Sequence, residues 1–392
     1  MRILQVIPYF YPAESFGGSV RVAFNIGREL ARRGHEVTVF ASDAEDLENR
    51  LDVKDNEIEG MKVYYFRNLT MLLVKCSKLF VTPELLKEAK LRIESFDIIH
   101  LHEYRSFQNI VLHHYAGKYS IPYVLQVEGS IPRIGKVGRK WFYDMLFGYR
   151  LLRNASKVIA VTQMEVKQYR DMGVPKEKIV LISPGIDVSE YMDLPPKGVF
   201  RAKHGISNNK KIILYLGRIH EIKGIDSLIK AYVNLLRSTK FDDVILVIAG
   251  PDDGYLSEAK SMVNSFKINN KVLFTGPIYG RSKLEAYVDA NVYVLPSRYE
   301  IWGMTVMEAM ACGTPVILSE NCGTADVVRD KGGLVVNPSP EEIQTALLDL
   351  LTNEELARKM GEMGRRFVRE NCSWNNIVPK FEALYEEVIG SC

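Results

Sequence analysis

The stretch from Ser297 to Pro315, SRYEIWGMTVMEAMACGTP, sets two carboxylates, Glu300 and Glu308, with seven residues between them. Glu300 is expected in a turn after the apolar run Val292-Tyr293-Val294-Leu295. Glu308 is expected in a short helix that Gly313 and Pro315 close. A carboxylate at a strand end and another in the early turns of the next helix can face one crevice. The helix N-terminus, at Gly303, Met304 and Thr305, is a natural phosphate site. Carboxylates that accept hydroxyl hydrogen bonds, beside a place for phosphate, suit a sugar nucleotide.

Other loops carry weaker signals, each with a plainer reading. Gly217-Arg218 follows an apolar run, and Lys223-Gly224 comes five residues later. An arginine fork and a lysine at the end of a first strand could clamp a diphosphate; alternatively they are two solvated cations in a loop. Gly250, in Ala249-Gly250-Pro251, suits a nucleotide-side loop. Gly17-Gly18 lies between the first strand and a helical pattern, where glycine lets backbone approach a ligand, or simply turns the chain. No GxGxxG follows any expected strand, so a dinucleotide fingerprint is lacking. His100 and His102 share one strand face and serve either acid–base work or structure. Glu128 ends another buried strand, where α/β sheets place ligands; a helix cap or an ion pair is the alternative. Between Ile131 and Lys157, seven cations face one acid, Asp144, among Trp141, Phe142, Tyr143, Met145, Leu146, Phe147 and Tyr149. Such a stretch suits an anionic membrane surface or a lipid-linked substrate, and equally a helix packed on the domain with a solvated basic face.

The elements that must position these groups are legible as alternation. Strands are expected at Ile3–Ile7, Glu36–Phe40, Lys62–Phe66, Ile98–Leu101, Tyr123–Val127, Val158–Val161 and Ile179–Ile182. A second set is expected at Ile212–Leu216, Val244–Ile248, Val272–Phe274, Val292–Leu295, Val316–Leu318 and Gly333–Val336. Runs apolar on both faces, separated by helical patterns, indicate parallel sheets. With 392 residues, two doubly wound α/β domains fit better than one. The division is expected near the Pro195-Pro196 segment: domains at 1–195 and 196–373, with the helix 374–392 crossing back onto the first. Apolar content of 47% and charged content of 25% are those of a globular protein. A net charge of +3 gives no reason to invoke nucleic acid. No apolar window reaches the ~18 residues of a spanning helix, and Met1–Pro8 reads as a buried strand rather than a signal peptide. The five cysteines lack ligand spacing, favouring free thiols over disulfides or zinc.

Taken together, these motifs resemble the family-4 retaining glycosyltransferases of the GT-B fold. The resemblance rests on Gly17-Gly18, Arg33-Gly34-His35-Glu36-Val37, Ser183–Asp187, Gly217-Arg218 with Lys223-Gly224, and Glu300 to Pro315, in the family's order. It implies two Rossmann-like domains facing across a cleft, and transfer of a hexose from a UDP- or GDP-sugar to a hydroxyl of a glycan or lipid-linked acceptor. It implies that Arg218 and Lys223 bind the donor diphosphate, Glu300 sugar hydroxyls and Glu308 the ribose. Gly217, Gly250, Gly303, Met304 and Thr305 would line the donor site, and Gly17-Gly18 would approach it from the other domain. No metal or other cofactor is expected. The chain departs from the family's pattern at Ile301, usually glycine, at Pro184, usually asparagine, and at Glu128, usually a histidine held to help catalysis. Glu128 and His102 are accordingly candidates for catalysis on the acceptor side. A cytoplasmic enzyme is expected, with attachment to the inner membrane face through 131–157 left open. The same fold hosts phosphorylases and synthases of soluble disaccharides, and a non-catalytic sugar-nucleotide-binding subunit is the remaining alternative.

Overall fold

A computed structural model describes residues 1–52, 55–238 and 243–391. The chain packs as two compact units, Met1–Gly185 with Trp374–Cys392, and Ile186–Ser373. Residues 186–195 group with the second unit.

The first unit holds eight strands: β1 (Arg2–Val6), β2 (Glu36–Ser42), β3 (Asp55–Ile58), β4 (Met61–Phe66), β5 (Ile98–His102), β6 (Tyr123–Gln126), β7 (Lys157–Ala160) and β8 (Ile179–Leu181). Their order in the sheet is β3-β4-β2-β1-β5-β6-β7-β8. All neighbours pair in parallel except β3, which runs antiparallel to β4 at the edge. The second unit holds β9 (Lys211–Leu216), β10 (Val244–Ala249), β11 (Val272–Gly276), β12 (Val292–Leu295), β13 (Val316–Ser319) and β14 (Gly333–Val336). Its order is β11-β10-β9-β12-β13-β14, all parallel. That is the 3-2-1-4-5-6 order of a doubly wound Rossmann-type sheet, and β4-β2-β1-β5-β6-β7 repeats it in the first unit.

The central strands are apolar on both faces because helices cover both sides. Ile3, Leu4 and Val6 of β1 are all fully buried, as are Ile212 to Tyr215 of β9. The helix Gly18–Arg32 presents Val22, Ala23, Ile26 and Leu30 to the first sheet. The C-terminal helix Trp374–Gly390 adds Ile377, Phe381 and Tyr385 to the same core cluster. A Cβ on Gly185 would lie 2.7 Å from the Trp374 ring, so glycine is required where the chain leaves the first unit. Among the described residues, Cys76, Cys312, Cys322 and Cys372 form no disulfide; Cys392 lies outside the described residues.

Candidate functional site

A doubly wound sheet opens a crevice where the strand order reverses, at the carboxyl ends of the strands. In the second unit that point lies between β9 and β12. β9 delivers Gly217 and Arg218, and β12 delivers the loop through Glu300. Two glycines let these loops close. A Cβ on Gly250 would sit 1.8 Å from the Gly217 carbonyl oxygen, and one on Gly224 would sit 2.1 Å from that of Pro296. Both residues have positive φ, 144° and 68°, which glycine accepts without strain.

Lys223 ends the short turn Glu221–Lys223, whose start is capped by His220 Nδ1 accepting from the Ile222 N–H at 3.0 Å. The Lys223 ammonium donates to Glu300. The pair is largely sheltered, at 13% and 18% side-chain exposure. Glu300 is fixed through its backbone: its N–H donates to the Asn321 carbonyl at 3.2 Å, and its carbonyl accepts from Gly323 N–H at 2.7 Å. Arg298 anchors the same loop, its guanidinium 2.7 and 2.8 Å from the two Asp226 oxygens. Arg218 pairs with Asp253 and is half exposed. The Tyr215 hydroxyl donates to the Arg218 carbonyl at 2.7 Å. Burial first, then the Glu300 charge, holds that phenol far above its ordinary range, while Arg218 opposes the shift. One fully buried ring therefore lies under the influence of both Arg218 and Glu300.

The helix Met304–Ala311 follows, and Gly313 with φ 80° turns the chain beyond its end. Glu308 lies on its buried face. Its Oε1 accepts from Lys283 Nζ at 2.7 Å and its Oε2 from the Tyr287 hydroxyl at 3.0 Å. The opening of the helix is already engaged in part. Gly303 N–H donates to Thr324 Oγ1 at 2.7 Å, Met304 N–H to the Trp302 carbonyl at 3.1 Å, and the Tyr293 hydroxyl to Thr305 Oγ1 at 2.6 Å. Glu300 and Glu308 thus take different cations, and buried Tyr293 feels both charges. Burial pushes the thiols of Cys312 and Cys322 up to about 12, so neither is a ready nucleophile.

The corresponding point in the first unit lies between β1 and β5, whose following loops carry Tyr9, Gly17-Gly18 and Glu103. Gly17 has φ 104° and Gly18 is exposed. His100 and His102 stack at 4.0 Å between ring centroids, both fully buried. His100 is structural, with Nδ1 2.7 Å from the Tyr385 hydroxyl. His102 Nδ1 lies 3.3 Å from Glu128 Oε1. Burial drives the His102 imidazole down to about 3 and the Glu128 carboxyl well up. Burial thus disfavours the charged form of both partners.

Two residues here were not anticipated from sequence. Glu103 accepts from the Tyr9 hydroxyl at 2.9 Å, and burial, reinforced by Glu128, raises it to about 7. Glu165 accepts from Gly129 N–H at 2.6 Å and Val161 N–H at 2.8 Å, clamping the turn that carries Glu128. Glu103 and Glu128 both have positive φ, 61° and 52°. Strained backbone of this kind costs about 1–3 kcal/mol per residue and collects at functional sites. That backbone signal has no counterpart in the sequence.

The basic stretch forms the helix Val137–Tyr143, a π-helical turn Asp144–Gly148 and the helix Tyr149–Asn154. Buried Asp144 pairs with Arg105 and Arg133. Trp141, Phe142, Met145 and Phe147 are exposed beside exposed Arg139 and Arg150. Among the described residues no helix is long and apolar enough to cross a membrane, and no group of three or more His, Cys, Asp or Glu could hold a metal ion.

Comparison with known proteins places this architecture. Residues 16–190 match the model described as Glycosyltransferase Family 4, and residues 197–367 match that of Glycosyl transferases group 1. The chain belongs to the family-4 glycosyltransferases and has the GT-B fold. It is 27% identical to an uncharacterized glycosyltransferase of Methanocaldococcus jannaschii, over 98% of this chain and 97% of that one. It is also 27% identical to the N-acetyl-alpha-D-glucosaminyl L-malate synthase of Bacillus anthracis, over 97% and 96%. Among solved structures, Anabaena HepE in complex with UDP superposes with a TM-score of 0.79 at 17% identity, over 99% of this chain and 100% of that one. Sucrose-phosphate synthase from Thermosynechococcus elongatus gives 0.77 at 22%, over all of both chains.

Proposed function

We propose that this glycosyltransferase moves a hexose from a nucleoside-diphosphate sugar, UDP- or GDP-linked, to a hydroxyl of a glycan or lipid-linked acceptor, with retained anomeric configuration. The observation that carries the reading is the sheltered Lys223–Glu300 pair at the reversal point of the second sheet, with Arg218 on the adjoining loop. The UDP held by HepE supports a nucleotide donor.

The donor is assigned to the second domain and the acceptor to the first. Breaking the sugar–phosphate bond leaves positive charge on the ring and negative charge on the diphosphate. Arg218 and Lys223 neutralise the latter, so no divalent metal is required. Glu300 orients Lys223 and accepts from sugar hydroxyls. Glu308, braced by Lys283 and Tyr287, takes the ribose hydroxyls. Gly217 and Gly250 keep the backbone low beneath the nucleotide. Attack comes from the face the diphosphate leaves, and the departing phosphate oxygen takes the acceptor proton. Gly17 and Gly18 serve the donor, and His102 and Glu128 serve the acceptor. The test is transfer from each sugar nucleotide to glycan acceptors, followed by NMR of the product anomer. Inversion, or turnover abolished by EDTA, would overturn the corresponding part.

The partner surface at 131–157 is assigned to an anionic lipid face, because exposed aromatic side chains interleave with exposed arginines there. Flotation on phosphatidylglycerol vesicles should be lost in Arg139→Glu/Arg150→Glu. Absence of binding by the unaltered chain at low salt would discard this assignment.

A further inference from the structure

Three carboxyl side chains meet at the carboxyl edge of the first sheet: Glu103 after β5, Glu128 after β6, and Glu165 in the helix Gln163–Asp171. Glu165 is committed to the backbone of Gly129 and Val161. Glu103 and Glu128 are not committed in that way. Tyr9 and Ser19 hydroxyls reach Glu103, and Gln126 Nε2 reaches Glu128 Oε1 at 3.1 Å. Glu128 is only 8% exposed, and His102 beside it is fully buried. Glu128 Oε2 and His102 Nε2 are both buried without a protein partner. Buried polar atoms left in this state are rare, and here they adjoin half-buried Glu103 at the sheet's ligand edge.

The charge around these groups is one-sided. The groups bearing most strongly on Glu103 are Glu128, Tyr9, Ser19 and His102, and those bearing on Glu165 include Glu128 and Glu103. None is a lysine or arginine. An approaching anion would meet the ionised Glu103, while the Arg105 guanidinium is taken up by Asp144 and the Ser130 and Ile131 carbonyls. A hydroxyl ring meets carboxyl groups that accept, and that also donate when protonated.

We propose that Glu103 and Glu128 form an acceptor subsite for an uncharged polyhydroxyl ring, which turns away rings bearing phosphate or carboxylate at that position. The inference rests on the glycosyltransferase reading above and names the acceptor chemistry. Glu128 fixes the ring through its unpartnered oxygen, and Glu103 selects against anions. Selection strengthens as pH rises, because burial holds Glu103 near 7 and its ionised fraction grows from pH 6 to 8. Tyr9, Ser19, His102, Glu128 and Glu165 are the neighbours that bear on this titration.

The test is saturation-transfer NMR on the full chain, with the donor site filled by whichever nucleoside diphosphate stabilises it. D-glucose and myo-inositol are compared with D-glucose 6-phosphate and myo-inositol 1-phosphate. The neutral rings are expected to bind at least about tenfold tighter than their phosphates at pH 8, as like charges in a sheltered site require. Glu103→Gln should narrow that ratio, and Glu128→Gln should weaken binding of the neutral rings. Tyr9→Phe, which removes a hydroxyl and no charge, should keep it. Equal or tighter binding of the phosphates, no binding of the neutral rings, an unchanged ratio in Glu103→Gln, or unaltered ring affinity in Glu128→Gln would overturn the proposal. Failure of every nucleotide to stabilise the chain would instead count against the donor reading, since ring binding is measured separately.

Discussion

Glu308→Ala is the perturbation whose consequences follow most directly from the geometry. Glu308 is 2% exposed and its partner Lys283 is 12% exposed. Truncation removes the acceptor for the Lys283 ammonium and the Tyr287 hydroxyl, leaving a sheltered cation unpaired. Breaking one side of such a pair costs about 3–5 kcal/mol. At roughly 2–4 °C per kcal/mol for a unit of this size, the unfolding transition of the second unit should fall by about 6–20 °C. Lys283→Met removes the stranded charge, so the double variant should recover much of the loss. The assay is a double-mutant cycle by calorimetry, with a coupling of at least about 1.5 kcal/mol expected. Glu308→Gln separates binding from folding: it keeps the shape and loses the charge, and nucleotide affinity should fall roughly 10- to 100-fold, the worth of one hydrogen bond to a charged group. A stability loss below about 1 kcal/mol in Glu308→Ala would refute the buried pair. Full nucleotide affinity in Glu308→Gln would refute the ribose assignment.

Other consequences can be checked alongside it. Lys223→Ala should lower turnover by ~10²–10³, as loss of one preorganised charge contact does, with donor affinity changed less; steady-state kinetics decide. Gly250→Ala sets a methyl 1.8 Å from the Gly217 carbonyl, so it should displace both loops and abolish nucleotide binding in titration calorimetry. The Glu103 carboxyl is raised from its ordinary 4.5 to about 7 on folding, so the folded state holds the extra proton between these values. Its contribution to stability is present below about 4.5 and is lost as pH rises through 7. Glu103→Gln should flatten that fall, read as the difference between variant and unaltered chain in urea titrations from pH 5 to 8.

Much of the fold was legible because both sheets are parallel and covered on both faces. Each such strand is a short, continuous apolar run, and all thirteen expected strands are present, with ends shifted by a few residues. The strand that escaped was β3, Asp55–Ile58, whose sequence DNEI is polar and whose place is the antiparallel edge. The site was legible where chemistry is local. The turn at Glu300, the helix under Glu308 and the glycine loops all follow from neighbours in the chain. Partnerships were not legible. Glu300 lies 77 residues from Lys223, and Glu308 lies 25 from Lys283, distances that only the folded sheet closes. Glu103 stood beside His102 in plain view, yet nothing in its neighbours announces a left-handed backbone or the burial that raises its pKa.

On the proposed reading, the second unit holds a nucleoside diphosphate on Arg218, Lys223 and Glu308 without a metal. A thermal-shift panel with UDP, GDP and ADP and their sugar conjugates, with and without EDTA, tests it most directly. At ~100 times its dissociation constant a true ligand stabilises by about 2.7 kcal/mol. A shift is expected with a nucleotide and its sugar conjugates, unchanged by EDTA and lost in Arg218→Ala/Lys223→Ala. No shift with any of them, or a shift that EDTA abolishes, would contradict it.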